Sequence, residues 1–166
     1  VLAVLQLVWM MFFSLLRTPE NQSFIVRIWY RYTLWLLGVE IKVINRKFIS
    51  PKQKIFLGNH TSYLDIICLG AMFDCFFVAK SDVASWPIFG FLSKIGGTIF
   101  ISRNRQSIKK QLAALGRHLD AGQSIFIFPE GTSNNGFTVL PFKSSLLHAT
   151  IGRHNSVVLQ PVTIKY

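Results

Sequence analysis

The chain has 166 residues, of which 51% are hydrophobic, and its 18 basic and 7 acidic side chains leave a formal net charge of +11. This length is typical of one domain with a sizeable hydrophobic core. A chain that is both apolar and basic indicates contact with an anionic membrane surface, and since no nucleic-acid-binding motif accompanies the charge, a nucleic-acid partner is not expected.

The N-terminal segment, residues 1–16, is uncharged and has only Gln6 and Ser14 as polar side chains. It is shorter than the roughly 20 residues of a spanning helix. Because the sequence starts at Val1 rather than Met, we expect a longer segment at this end, which leaves both spanning and docking open. No small-residue cleavage site follows, which disfavours a signal peptide. Basic residues over 17–47 place the rest of the chain in the cytoplasm by the positive-inside rule.

A second apolar segment covers residues 23–40, where aromatic side chains alternate with Arg27 and Arg31. This pattern is typical of a helix lying in the membrane interface. The alternative is a core helix whose arginines reach out to solvent. The sequence therefore predicts a membrane-associated region over residues 1–40 and an α/β domain over residues 41–166.

From residue 41 onward, short apolar strands alternate with helices. The predicted strands cover 41–45, 54–57, 76–79, 98–101, 124–128 and 156–165, and the predicted helices follow His60, start at Ser81, and cover 107–120 and 143–151. This alternation predicts a layered α/β domain with a central mixed or parallel sheet flanked by helices. The aromatic stretch Trp86–Leu92 is expected to line an acyl-chain groove, to enter the membrane, or to pack in the core.

The cysteine and histidine spacings show no sign of a metal centre. Cys68 and Cys75 stand in apolar runs without CxxC spacing, and the four histidines are not spaced as ligands. We therefore expect no metal, no disulfide and two buried reduced thiols, which agrees with a cytosolic location.

The segment from Asn59 to Asp65 lies between an apolar run typical of a buried strand and a second run typical of a helix. Open α/β sheets bind ligands at this edge, beyond the carboxyl ends of their strands. We expect Thr61 or Ser62 to cap the helix, which leaves His60 in the turn. Asp65 can then reach one imidazole nitrogen and fix the tautomer, while the other nitrogen accepts a proton. The alternative is a strand-end histidine beside a carboxylate that only stabilises the helix dipole.

Three other predicted strand ends carry residues suited to a ligand site. Arg103 follows strand 98–101 among other basic residues. It could bind a phosphate through two hydrogen bonds, or it could be part of a solvated basic face. Glu130 follows Pro129 in a glycine-containing turn, where it can accept a hydrogen bond from a substrate hydroxyl or hold a basic residue. A late apolar strand ends at Pro161.

Taken together, these segments resemble the glycerolipid acyltransferases typified by lysophosphatidate acyltransferase. That family shows four boxes in order, and residues 55–162 contain all of them as NHTSYLD, GTIFISR, FPEGT and an apolar strand ending in proline. Two positions depart from the family pattern. Ser102 stands where the family often has aspartate, and Ser133 where it often has arginine, which loosens the assignment of the acceptor headgroup. Family members usually extend further at the C-terminus, so we expect part of the acyl pocket to lie outside this sequence.

The resemblance implies a role for each matching residue. His60 is the expected general base, and Asp65 its orienting partner. Arg103 is expected to bind the phosphate of the acceptor. The remaining substrate contacts are expected from Glu130, Gly131, Thr132 and Lys143.

The implied reaction is transfer of a fatty acyl group from acyl-CoA or acyl-carrier protein to the free hydroxyl of a lysophospholipid. The expected acceptor is lysophosphatidate, which becomes phosphatidate in phospholipid biosynthesis. No serine or cysteine nucleophile accompanies His60, so direct attack by the substrate hydroxyl is expected, without a cofactor. The expected location is the bilayer, with the active site on the cytoplasmic face.

Three other functions remain open from the sequence. The same base could serve an acyltransferase with a different lysolipid acceptor, or a hydrolase that activates water on a lipid ester or thioester. A non-catalytic membrane-binding protein explains the charge and the apolar composition but gives His60, Asp65, Arg103 and Glu130 no role.

Overall fold

A computed structural model describes residues 22–102, 108–143 and 157–166. These ranges contain four α-helices and five strands. The helices are α1 (Gln22–Leu36), α2 (Leu64–Met72), α3 (Phe89–Ile95) and α4 (Ile108–Asp120). The strands are β1 (Lys54–Gly58), β2 (Phe76–Lys80), β3 (Ile99–Ile101), β4 (Ile125–Ile127) and β5 (Val158–Val162). Short 3₁₀ helices cover Arg46–Phe48 and Ser81–Ser85.

The five strands form one sheet in the order β3-β2-β4-β1-β5, and every pairing is parallel. Strand β1 lies inside the sheet, where Ile55 pairs with Ile125 of β4 and with Leu159 of β5. Because all strands run the same way, their carboxyl ends meet at one edge. The predicted α/β architecture is confirmed, and the sheet is parallel rather than mixed.

Both faces of the sheet are buried at its central strands β1 and β4, as is usual for parallel strands. Successive residues of a strand point to opposite faces, so Ile55 and Ile125 pack in one cluster with Leu115 of α4. Phe56 and Phe126 pack on the other face, in a cluster with residues of α2. The helices α2 and α4 therefore cover opposite faces and leave the strand ends between them.

Helix α1 packs against α2. Leu34 is buried with Cys68 and Ala71, and the ring of Tyr30 lies so close to Gly70 that a side chain at Gly70 would overlap it. The Arg27 guanidinium pairs with Asp74 across 3.0 Å. At the same time α1 exposes aromatic side chains, of which Trp35 is 73% accessible. The helix is thus anchored to the domain on one side, while its predicted contact with a membrane stays a prediction.

No helix within the ranges given above combines the length and the apolar character needed to cross a bilayer. Residues 1–16, the candidate membrane segment, lie outside the described residues. The predicted helix over 143–151 also lies almost wholly outside them, since only Lys143 is described and it is not helical.

The strand predicted over residues 41–45 is wrong. This segment pairs with no other strand in the described part of the chain, and Ile44 is 74% exposed. Asn45 has a φ of 62°, in the left-handed region, which breaks an extended conformation. The alternation of apolar residues alone predicted a strand here, but no residue of this segment is buried in the structure.

Candidate active site

The candidate site is built at the carboxyl ends of β1 and β4, which are neighbours in the sheet. His60 follows β1 by two residues, and Glu130 follows β4 by three. Ligands of open α/β sheets bind in the crevice beyond these ends. The sheet therefore brings together two residues that are 70 positions apart in the sequence.

His60 and Asp65 are in direct contact. Nδ1 of His60 lies 2.8 Å from Oδ2 of Asp65, and the side chains are 13% and 0% exposed respectively. The imidazole ring stacks on Phe128 with 4.2 Å between the ring centroids and 21° between the planes. A ring held by a carboxylate at Nδ1 and by an aromatic face leaves Nε2 as the nitrogen that can take up a proton.

The carboxylate of Asp65 organises the whole turn. Its Oδ2 accepts hydrogen bonds from the backbone N–H groups of Thr61 (2.6 Å) and Ser62 (2.9 Å). The helix begins at Leu64 with Tyr63 as N-cap, and Tyr63 makes no side-chain capping bond. Tyr63 already has helical backbone angles (φ −62°, ψ −23°), and the hydroxyl oxygen of Ser62 accepts a hydrogen bond from the N–H of Leu64 at 3.1 Å. The prediction that Thr61 or Ser62 caps the helix is therefore confirmed for Ser62.

Asp65 stays charged despite its burial. Burial by itself raises the pKa of this carboxyl, but the hydrogen bonds from His60, Tyr166, Ser62 and Thr61 outweigh it and hold the pKa below its usual value. An ionised carboxylate beside Nδ1 stabilises an imidazolium ion. The pair can therefore act as a general base and its electrostatic partner.

Asn59 ties the turn to the end of the chain. Its side-chain amide donates to the carbonyl oxygen of Ile164 at 3.0 Å, and its side-chain oxygen accepts from the N–H of Ile164 at 2.9 Å. Two residues later, the hydroxyl of Tyr166 donates to Oδ1 of Asp65 at 2.6 Å. Sequence reasoning assigned no role to either residue, since only the fold brings them together.

Glu130 is buried and holds the loop that follows it. It is 2% exposed, and its Oε2 accepts hydrogen bonds from the side chain of Asn134 and from the N–H of Leu140 (2.9 Å). Its Oε1 is also buried and has no hydrogen-bond partner among the described residues. Glu130 thus braces the loop over residues 130–140, and its second carboxylate oxygen is buried without a described partner.

Two other residues expected to contact substrate, Gly131 and Thr132, lie on the same loop, and Lys143 follows it in sequence. Gly131 has a φ of 67°, and a Cβ placed there would lie 2.8 Å from Nζ of Lys143, so the lysine side chain runs directly over this glycine. Thr132 is exposed. The structure therefore brings Gly131 and Lys143 together beside Glu130 and leaves Thr132 facing solvent.

Arg103 lies outside the described residues. The preceding residue is placed at the end of β3, where the carbonyl oxygen of Ser102 accepts a hydrogen bond from the side chain of Gln111 on α4 at 2.8 Å. The expected phosphate contact of Arg103 stays a prediction.

Exposed apolar side chains flank the His60 turn. Tyr63 contacts Trp86 and Phe89, with ring centroids 6.0 and 5.5 Å apart, and all three rings are partly open to solvent. On the opposite loop, Phe137 is 91% exposed, and Gly136 beside it approaches Thr61 closely. The Trp86–Leu92 stretch is thus a surface feature next to the site rather than a core segment.

Comparison with known proteins relates the chain to one family and one fold. Residues 40–165 match the sequence model of the family described as Acyltransferase. The chain is 40% identical over 140 residues to the lyso-ornithine lipid O-acyltransferase of Rhodobacter capsulatus, covering 82% of this chain and 49% of that protein. It is 33% identical over 134 residues to the 1-acyl-sn-glycerol-3-phosphate acyltransferase of Neisseria meningitidis, covering 80% and 52%.

The fold is similar to that of the 1-acyl-sn-glycerophosphate acyltransferase of Thermotoga maritima, with a TM-score of 0.63 at 17% identity, over 93% of this chain and 73% of that one. The chain spans about half the length of the curated relatives named above.

Proposed function

Because the chain belongs to the acyltransferase family, we propose that it transfers a fatty acyl group from a thioester to a free hydroxyl group of a lysolipid. The observation that carries the proposal is the contact between Nδ1 of His60 and the fully buried Asp65. A histidine held in this way is a general base, and the described residues supply no nucleophile beside it. The attacking oxygen is then that of the acceptor.

In the proposed reaction, Nε2 of His60 takes the proton from the acceptor hydroxyl while the oxygen attacks the thioester carbonyl. The carbon–sulfur bond breaks, the acyl–oxygen bond remains, and the proton passes from the imidazolium to the leaving thiolate. Asp65 stabilises the imidazolium between the two proton transfers. General-base catalysis of this kind contributes about 10²–10⁴-fold, and alignment of two bound substrates adds to it.

Lysophosphatidate is the first candidate acceptor. Lys143 supports it, since its ammonium group lies over Gly131 beside the loop held by Glu130, and a cation there attracts a phosphate headgroup. Acyl-CoA and acyl-carrier protein are the candidate donors.

A lyso-ornithine lipid is the second candidate acceptor. The 40% identity to an enzyme named for that substrate favours it. The exposed Ser133 agrees with this candidate, because a serine offers no positive charge for a phosphate at a position where the glycerolipid acyltransferase family often has arginine.

The proposed location is the cytoplasmic face of a membrane, where a lysolipid resides. The exposed aromatic side chains around Tyr63 and at Phe137 flank the His60 turn, and the chain carries a net charge of +11. Apolar side chains beside basic ones favour an interface with anionic lipids.

The test is acyl transfer by the full-length protein in vesicles, with labelled acyl-CoA or acyl-carrier protein and a panel of lysolipids that includes both candidates. The variants are His60→Ala and, as a matched control, His118→Ala, whose imidazole bonds to Gln123 instead of a carboxylate. We expect transfer that is lost only in His60→Ala. Free fatty acid without acylated product would show a hydrolase, and lipid binding without turnover would show a non-catalytic protein.

A further inference from the structure

Tyr166 contacts the candidate catalytic pair from the far end of the chain. Its hydroxyl donates a hydrogen bond to Oδ1 of Asp65 at 2.6 Å, across a sequence separation of 101 residues. The only other described donor to this oxygen is the hydroxyl of Thr61, at the longer distance of 3.3 Å. The residue lies one position beyond the segment that matches the family model.

The two carboxylate oxygens of Asp65 have different hydrogen-bond partners. Oδ2 faces Nδ1 of His60 and accepts two backbone N–H groups from the turn, whereas Oδ1 faces Tyr166. A carboxylate can rotate about its last bond unless both oxygens are held. The tyrosine hydroxyl therefore holds the plane of the carboxylate, and with it the direction in which Oδ2 faces the imidazole.

The position of Tyr166 is itself anchored. Both polar atoms of the Asn59 side chain bond to the backbone of Ile164, two residues earlier. Asn59 is the residue immediately before His60. The segment that carries the tyrosine is thus fastened to the same turn that carries the base, so the two sides of Asp65 are held by one connected set of bonds.

We infer that Tyr166 is a positioning residue for the proposed acyl transfer, which it serves by holding the Asp65 carboxylate in the orientation that presents Oδ2 to His60 and by sharing its negative charge. This inference rests on the proposed function. The titratable groups that face Asp65 among the described residues are His60, Tyr166 and, one helical turn along α2, the buried Cys68. Burial and the neighbouring Asp65 raise the pKa of Tyr166, so its hydroxyl keeps its proton and remains a donor.

The test compares wild-type full-length protein with Tyr166→Phe, which keeps the ring and removes only the hydroxyl. Tyr32→Phe, on α1, is the matched control. In Tyr166→Phe we expect kcat about tenfold lower, equivalent to about 1.4 kcal/mol in the barrier, with both KM values nearly unchanged. Since the unshared charge of Asp65 then stabilises the imidazolium more strongly, the acidic limb of the kcat/KM profile moves to higher pH.

A second variant carries a fluorinated tyrosine at position 166, which is a stronger donor of the same shape. It shares more of the carboxylate charge, so the acidic limb moves to lower pH. If the limb stays at the wild-type pH in both variants, the inference is overturned, even when Tyr166→Phe is less stable. If the wild-type protein itself transfers no acyl group, the proposed function is refuted instead. Failure of the proposed function can therefore be distinguished from failure of the inference about Tyr166.

Discussion

The backbone N–H of Asn134 donates a hydrogen bond to the carbonyl oxygen of His60 across 2.9 Å. The side chain of the same asparagine donates to Oε2 of Glu130. One residue of the loop therefore joins the turn after β1 to the carboxylate after β4. Asn134 thus connects the Glu130 carboxylate to the backbone of His60 through two hydrogen bonds.

Replacing Asn134 by alanine is expected to loosen this loop. The change removes one of the two donors to Oε2 of a buried carboxylate whose other oxygen already lacks a partner among the described residues, and a hydrogen bond to a charged group contributes about 1.5–3 kcal/mol. Chemical unfolding of Asn134→Ala should show a loss in this range, with lower acyl transfer in the folded fraction. Asn135→Ala is the control, because the one hydrogen bond of its side chain within the described ranges is to the exposed N–H of Phe137. Equal stability of the two variants would contradict the bracing role.

Asp65→Asn is expected to lower acyl transfer by about 10²–10⁴-fold, the contribution of general-base catalysis. The amide cannot stabilise an imidazolium, although its shape fits the same space. Asp82→Asn is the matched control on an exposed carboxylate. Transfer that survives in Asp65→Asn at the control's level would remove Asp65 from the mechanism.

The same substitution should change how stability depends on pH. The pKa of Asp65 lies below its usual value in the folded chain, so the unfolded chain binds more protons when the pH is near the usual value. The stabilisation by Asp65 is complete above the usual pKa and is lost as the pH falls through the lowered one. From about pH 6 to pH 3, the free energy of unfolding should therefore fall more steeply for the wild type than for Asp65→Asn. If the free energy of unfolding changes with pH equally in both proteins, the lowered pKa of Asp65 is contradicted.

Gly58→Ala is expected to destabilise the sheet next to the site. A Cβ at this position would lie 2.7 Å from Cζ of Phe126, whose ring is fully buried between β1 and the helix-covered core. Overpacking of this kind costs about 1–3 kcal/mol. Thermal or chemical unfolding measures the loss, and Lys52→Ala, an exposed change just before β1, is the control. A variant as stable as the wild type would mean that Phe126 can move aside freely.

Ser133→Arg is expected to shift the choice of acceptor toward lysophosphatidate. The position is exposed, so the longer side chain meets no packing penalty, and a guanidinium binds phosphate in a bidentate manner. The ratio of kcat/KM for lysophosphatidate to that for the lyso-ornithine lipid should rise in this variant. Asn135→Arg adds the same charge on the same loop, so an equal rise there would point to general electrostatic attraction instead.

Local sequence pattern was enough to predict much of the sheet. Strands β1 and β2 lie where their apolar runs predict them, because each is buried on both faces and reads as a continuous apolar segment. Amphipathic periodicity likewise predicted α4. The strand predicted over residues 41–45 was wrong for a physical reason. A strand needs a neighbouring strand to pair with, and the local sequence pattern does not show whether one is present.

In the candidate site, too, the local contacts were predicted from the sequence and the long-range contacts were not. The spacing of His60 and Asp65 predicted their contact, because a turn and one helical turn bring such residues together. The parts that were missed depend on long-range placement: Tyr166 reaches Asp65 from 101 residues away, and Asn134 reaches His60 only through the loop after β4. The cap at Ser62 was also predicted from local sequence, because its hydroxyl accepts a hydrogen bond from the N–H of Leu64 within the same turn.

The order of the strands in the sheet also determines when the contacts of the site can form during translation. Strand β1 and the His60 turn leave the ribosome early, but their partners in β4, β5 and Tyr166 are added much later. At about 5–20 residues per second, the 101 residues between Asp65 and Tyr166 take roughly 5–20 s to translate. Until β4 (Ile125–Ile127) has been translated, both edges of β1 lack their partner strands, and the edge that pairs with β5 waits longer still. The contact between Tyr166 and Asp65 can therefore form only after β5 has been translated.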